Sequence, residues 1–264
     1  MQKNAFSLDG RTALVTGGSR GIGRMIAEGF LAHGAKVYIS ARKAEACTTA
    51  AAEMSRSGGE CIAIPQDVST VAGAKALAAE ICRRENDRLD ILVNNAGTAW
   101  AAEFQDVPES SWDKVLNLNL KTPFFLTQSL FEALKAAGSA ERPAKVINIA
   151  SIDGIALSPL ETYSYHASKA ALIYLTRRLA ARLVRDNILV NAIAPGAFAS
   201  DMNRKARDQP DAVATRIPSG RIGRGEDMAS AAIYLAARSG DYVVGSTLVV
   251  DGGVALARLP SYED

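Results

Sequence analysis

Cysteine is scarce in this chain of 264 residues: Cys47, Cys61 and Cys82 form an odd, widely spaced set. There is no CxxC pair, and His33 and His166 are the only histidines. That spacing argues against both a disulfide framework and a zinc site, so no metal is expected and each thiol should be free and at least half-buried. Charge of one sign is also missing. The 30 basic and 28 acidic residues leave a net charge of +2, which gives no footprint for nucleic acid or a polybasic membrane surface. No apolar run reaches the length of a membrane span. The first residues, MQKNAFSLDGR, hold no apolar core of signal-peptide length. A cytoplasmic protein with no membrane partner is the expectation.

What remains is ordinary globular material, 48% apolar and 22% charged. A chain this long can bury a core without staples, and one large α/β domain fits its length. Short apolar runs alternate with helical patterns throughout. The strands are expected at 12–16, 36–40, 61–64, 89–93, 145–149, 188–193 and 246–250. The helices are expected at 25–33, 44–56, 71–84, 111–137 (interrupted near Pro123), 164–185 and 227–238. Strands joined through helices must be parallel. Their continuous apolar character suits a sheet covered on both faces. The expected architecture is a single-domain Rossmann fold: seven parallel strands, doubly wound, with helices on both faces. The polar stretch 200–220 has no apolar period and is expected as an irregular lid over a pocket. The helix at 164–185 carries two apolar stripes, Leu172, Leu175, Leu179 and Leu183 on one and Ala167, Ala171 and Tyr174 on the other. A second packing partner is implied, either within the chain or in another subunit.

Gly17, Gly21 and Gly23 follow the first strand, with Ser19, Arg20 and Ile22 between them. Glycines between a strand and a helix let the backbone approach a pyrophosphate, which the helix N-terminus then holds. An NAD site carries an acid about 20 residues further on. Here Ser40, Ala41, Arg42 and Lys43 stand there, with no acid before Glu45. A 2′-phosphate favours guanidinium groups over carboxylates, so Arg20 and Arg42 point to NADP(H). Ligands in such sheets meet the carboxyl ends of the strands. Asp67 and Val68, Asn95 to Gly97 through Ala96, Ser151, and Pro195 with Gly196 all lie at that edge.

Tyr165 and Lys169 are four residues apart, with Ser151 upstream. On a helix such a pair shares one face. A phenol loses its proton near pH ~10 in water, and a neighbouring ammonium is expected to draw that value towards neutrality. A Tyr tuned in this way beside a Ser hydroxyl can give a proton to a carbonyl oxygen.

Taken in order, these motifs resemble the short-chain dehydrogenase/reductases. The resemblance runs from Thr16-Gly17-Gly-Ser-Arg-Gly21-Ile-Gly23 through Asn94-Asn-Ala-Gly97, Asn119, Ser151, Tyr165-x3-Lys169 and Pro195-Gly196 to Asp251-Gly-Gly253. It implies Tyr165 as acid/base, Lys169 on the nicotinamide ribose and Ser151 on the substrate oxygen. It implies Asn119 as support for a water relay to Lys169, and Asp67 and Val68 around the adenine. Ser200 stands where many members have Thr, and would contact the carboxamide or phosphates. Tyr163 lacks a Lys at the fourth position and is expected as wall or substrate contact. Within the family the chain looks most like bacterial 3-oxoacyl-acyl-carrier-protein reductases, particularly the rhamnolipid-pathway variety. The implied activity is NADPH-dependent reduction of a 3-oxoacyl thioester, with acyl carrier protein as one carrier. The alternatives are a ketone, sugar or secondary-alcohol oxidoreductase, and a catalytically silent dinucleotide sensor. A homotetramer or homodimer is the family's expectation. Arg204, Lys205 and Arg207 read as a solvated face.

Overall fold

The computed structural model describes residues 5–56 and 58–257. Seven parallel strands form one sheet in the order β3-β2-β1-β4-β5-β6-β7. They are β1 Thr12–Thr16, β2 Lys36–Ala41, β3 Cys61–Pro65, β4 Ile91–Asn94, β5 Ala144–Ile149, β6 Ile188–Pro195 and β7 Thr247–Val250. The order turns back between β1 and β4, which opens a crevice at the strands' carboxyl ends.

Neighbouring residues of each central strand enter different cores. Val15, Ile39, Val93 and Ile147 pack with Ile26 and Phe30 of α1 (Gly21–Ala32), Met54 of α2 (Ala44–Arg56) and Met228 of a C-terminal helix, Gly225–Ala236. Leu14, Tyr38, Leu92 and Val146 pack on the other face with Leu77 and Ile81 of α3 (Val71–Arg84). Because side chains alternate across a strand, a sheet buried on both faces needs apolar residues at every position. This explains the unbroken apolar runs.

The expected helix 111–137 is several pieces. α4 (Glu109–Leu116) runs into a π-helical turn, Asn117–Lys121, then α5 (Thr122–Ser129) and, after Leu130, α6 (Phe131–Ala137). Pro123 has no N–H to give the carbonyl one turn back, so the ladder re-registers just before it. Strand four starts two residues later than expected, because the Leu89 amide bonds the Ala133 carbonyl. The first helix begins earlier than expected, taking Gly21 and Gly23 into its first turn. α7, Tyr163–Leu183, follows β5.

Residues 200–220 are not irregular throughout. They contain α8 (Arg204–Asp208) and α9 (Pro210–Ala214), and the helix 225–236 is therefore α10. The Asn203 side chain caps α8 and Pro210 opens α9. Ala206 and Ile217 are buried beneath them, so the segment has an inner face. Among the described residues no helix is long and apolar enough to cross a membrane.

Candidate active site

The glycine turn closes on itself and on the loop after β4. Gly17 has φ +66° and gives its amide to the Ser40 carbonyl at 2.7 Å. A Cβ on Gly23 would lie 2.4 Å from the Gly17 oxygen, so glycine is required there for the helix to start beneath the turn. The Asn95 amide nitrogen donates to the carbonyls of Thr16 at 2.8 Å and Gly17 at 3.3 Å. The Thr16 hydroxyl receives the amides of Asn95 and Ala96, each at 3.0 Å, and donates to the Val93 carbonyl. Asn95, expected in the cofactor channel, therefore has its side chain turned to the glycine turn. Thr16 opens the motif that carries the resemblance, but its role is not legible in the sequence, since its partner Val93 is 77 positions away.

The residues present suit a dinucleotide. A Cβ on Gly17 would strike the Asn95 side chain at 2.8 Å, so the turn closes this tightly only at glycine, and α1 brings its free N–H groups to it. Ser19 and Ile22 flank it, half-buried. Arg42 is exposed after β2, and its charge reaches Asp67 after β3. Burial works to raise the Asp67 carboxyl, but the Ser69 amide and hydroxyl and the Arg42 guanidinium outweigh it and hold it below its usual range. The hydroxyl of Ser40, buried beneath this corner, has no hydrogen-bond partner among the described residues. Val68 is buried, its carbonyl accepting the Thr122 hydroxyl. Arg20 pairs with Asp201, beyond β6. Ser200 packs its Cβ 3.3 Å from where a Cβ on Gly21 would sit, so segment 200–208 lies against the glycine turn. Pro195 ends β6, and Gly196 donates to the Val250 carbonyl at 2.9 Å. A Cβ on Gly196 would meet Asp251 at 2.7 Å.

The second half of the site lies one strand further along. Ser151 ends β5's exit in an extended conformation, and its hydroxyl accepts the Asp153 amide at 3.1 Å. That bond starts a single turn, Ile152–Gly154, which packs on α7. Gly154 allows this approach: a Cβ there would be 2.7 Å from the Lys169 carbonyl carbon. The Ser151 hydroxyl reaches the phenol of half-buried Tyr165. The Lys169 ammonium donates to the Ile149 carbonyl at 2.7 Å and lies 5.5 Å from the Tyr165 ring centre. Asn119, turned inward by the π turn, is buried. It accepts the Thr98 amide at 2.9 Å and donates to the Thr98 carbonyl at 2.8 Å and the Ser168 hydroxyl at 3.1 Å. A Cβ on Gly97 would lie 3.2 Å from Asn119 Oδ1 and 3.8 Å from Lys169 Nζ, which places all three together.

One electrostatic expectation is not met. Burial pushes the Tyr165 phenol up to about 12, partly offset by the Ser151 hydroxyl and reinforced by the Asp153 carboxylate. Burial also pulls the Lys169 ammonium down to about 8. The ammonium is held on the Ile149 carbonyl and does not bring the phenol towards neutrality. Desolvation is the largest cause of both shifts, and neither group contributes to the shift of the other.

Tyr163 is exposed, stacks edge-on with Phe104 and bonds Glu161. His166 joins Ser158, at 3.1 Å, to the Thr162 carbonyl, at 2.8 Å. His33 bonds the Gly29 carbonyl. The three thiols are free, two buried and Cys82 half-buried. Thr98, Ser168 and Gly154 support the site and were not legible in the sequence, because their partners come together only on folding.

A family model described as enoyl-(acyl carrier protein) reductase matches residues 17–255. Over 254 residues the chain is 50% identical to the rhamnolipids biosynthesis 3-oxoacyl-[acyl-carrier-protein] reductase of Pseudomonas aeruginosa, covering 95% of this chain and 98% of that one. A solved structure described as the Pseudomonas aeruginosa RhlG/NADP active-site complex superposes with a TM-score of 0.93 at 49% identity, covering 97% of this chain and 100% of that one. The sorbitol dehydrogenase of Cereibacter sphaeroides is 38% identical over 258 residues, covering 93% of this chain and 98% of that one. With these similarities, the strand order and the Ser151, Tyr165 and Lys169 cluster in one crevice, the chain belongs to the short-chain dehydrogenase/reductase family of NAD(P)-dependent oxidoreductases.

Proposed function

We propose that this enzyme uses NADPH to reduce the ketone of a 3-oxoacyl thioester to a secondary alcohol. The observation that carries the reading is the Tyr165 phenol beside the Ser151 hydroxyl at the same sheet edge as the glycine turn. Bound NADPH supplies the hydride to the carbonyl carbon. As the C=O π pair moves to oxygen, Tyr165 gives that oxygen its proton and Ser151 donates a hydrogen bond to it. A phenol near 12 is fully protonated at neutral pH, which suits an acid. Lys169 binds the nicotinamide ribose, and Asn119 positions Lys169's surroundings through Thr98 and Ser168. Gly17, Ser19, Gly21, Ile22 and Gly23 cradle the pyrophosphate, Arg20 and Arg42 take the 2′-phosphate, and Asp67 and Val68 hold the adenine. Ala96 and Gly97 line the channel with Pro195, Gly196 and Ser200.

Leu157 and Leu160 lie on the loop between Ser151 and Tyr165, and Phe104 stacks on Tyr163 beside it; all three are exposed. An apolar rim supports an acyl tail over a polyol. Arg204 and Lys205, exposed on α8, would meet the phosphate of a carrier-protein or coenzyme A thioester. Residues 200–220 form the lid. The exposed Tyr174 and Ala167 on α7 support association of copies, a tetramer or dimer. We place the enzyme in the cytoplasm.

The test is steady-state kinetics with NADPH on 3-oxoacyl thioesters, sugars and simple ketones, for the wild type and Tyr165→Phe. Thioesters should give the highest kcat/KM. Tyr165→Phe should lower kcat by about 10²- to 10⁴-fold, the range for losing a general acid, while NADPH still quenches tryptophan fluorescence. Unchanged turnover in that variant would move the proton donor elsewhere and reopen a sensor role. Preference for sugars would replace the substrate assignment.

A further inference from the structure

We propose that Asp201 is a clasp holding the segment after β6 against the glycine turn, and that the 2′-phosphate of the cofactor opens it by taking Arg20. The proposal rests on the reading of Arg20 as a phosphate ligand. Asp201 uses both carboxylate oxygens. Oδ2 accepts from Arg20, at the start of α1, and Oδ1 accepts from Arg207 of α8 at 2.6 Å. It is therefore a bridge between the two elements. Arg207 is also held by Asp208 at 2.8 Å. The remainder of this corner is ordered by short bonds: the Ser200 hydroxyl accepts the Asn203 amide, and the Asn203 side chain accepts the Ala206 amide, both at 3.1 Å.

Arg24, one turn further along α1, is held by Glu28 and Glu53 at 2.8 Å each. Arg20 is different. Its side chain is 72% exposed and borders a cavity of about 340 Å³ that Ser200, Asp201 and Arg207 also line. Arg20 meets Asp201 through Nη1 alone, and a phosphate that takes the rest of the guanidinium brings its own negative charge up against the Asp201 carboxylate. A phosphate monoester carries more charge than a carboxylate, about −1.5 to −2 at neutral pH, and wins the guanidinium. Asp201 is then left with Arg207 alone and faces a like charge. The corner of the lid loosens only for the phosphorylated cofactor. Asp201 thereby becomes a specificity-determining residue, and cofactor form is coupled to the segment over which substrate must pass. By reciprocity, if phosphate weakens the clasp, removing the clasp strengthens phosphate binding.

Two measurements test this at low ionic strength. Calorimetry compares adenosine 2′,5′-diphosphate with adenosine 5′-diphosphate on the wild type, Asp201→Asn and Arg20→Gln. Hydrogen exchange follows the amides of residues 200–208 with each nucleotide. Asp201→Asn should bind the 2′,5′-diphosphate about fivefold more tightly, the scale of an exposed ion pair, and bind the 5′-diphosphate unchanged. In the wild type the 2′,5′-diphosphate should speed exchange at 200–208 and the 5′-diphosphate should not. Slower exchange with the 2′-phosphate, or unimproved binding by Asp201→Asn, overturns the clasp. If Arg20→Gln keeps full affinity for the 2′,5′-diphosphate, the phosphate reading of Arg20 fails and the clasp fails with it. If Arg20→Gln loses affinity while Asp201→Asn gains none, only the clasp fails.

Discussion

Tyr165 and Lys169 show how burial can reverse a simple expectation about a charged neighbour. Both groups are moved towards their neutral forms, the phenol up to about 12 and the ammonium down to about 8. The proposed donor is thus kept protonated by its surroundings, and Lys169 is left as the group that titrates in the working range. The expected consequence is a basic limb near pH 8 in kcat/KM, as Lys169 loses the charge that holds the ribose. Lys169→Arg keeps its charge above that pH and should remove the limb, even at lower activity. A limb that stays at the same pH in Lys169→Arg assigns it to another group. The linkage to stability has a definite sign. The folded value lies below the ordinary 10.5, so between about 8 and 10.5 the unfolded chain binds more protons. This group therefore adds stability as pH rises through that window.

The elements around the site are placed by close backbone approaches more than by side-chain charge. The turn Ile152–Gly154 sits on α7 with no room for a methyl group at Gly154. The atoms in the way are backbone atoms of Lys169 and Ala170, which cannot rotate aside. Gly154→Ala should lift the turn that Ser151 begins. A cost of about 1–3 kcal/mol in urea unfolding is expected for such overpacking, with kcat falling more than KM rises. A variant with unchanged kcat would show that Ser151 is positioned without this contact. The π turn before Pro123 has a related role, since the extra residue in that turn carries Asn119 inward to Thr98 and Ser168.

On the scale of the molecule, the edge opposite the site is held by buried charge. Lys145 on β5 is 1% exposed and pairs with Asp241 at 2.7 Å. Arg11 is also buried, its guanidinium on the Pro143 carbonyl at 2.9 Å and 3.6 Å from Asp90. Burial lowers the Lys145 ammonium, and Asp241 opposes that shift. Removing one partner strands a buried charge. Asp241→Asn should cost about 3 kcal/mol, the low end for a broken buried pair because Asp241 stays partly exposed. Lys145→Met with Asp241→Leu should return most of that stability. Denaturant unfolding checks both, and a near-neutral Asp241→Asn would show the pair to be dispensable. Activity should change little in either variant, as these residues lie at the far ends of the strands.

Local pattern was enough to read the strand and helix alternation, the glycine turn and the spacing of Tyr165 and Lys169. Periodicity, turn chemistry and helix geometry act over a few residues. The apolar strands likewise announced a sheet covered on both faces. Other features depended on chain segments far apart in sequence: the Thr16 hydroxyl under Asn95 and Ala96, the grip of Asn119 on Thr98 and Ser168, and the bridge from Arg20 to Asp201. The two shifted ionisations also belong to the tertiary structure, because desolvation depends on what surrounds a group in space. A Tyr and a Lys four residues apart define a shared helix face; packing against β5 sets the pH at which each gives up its proton.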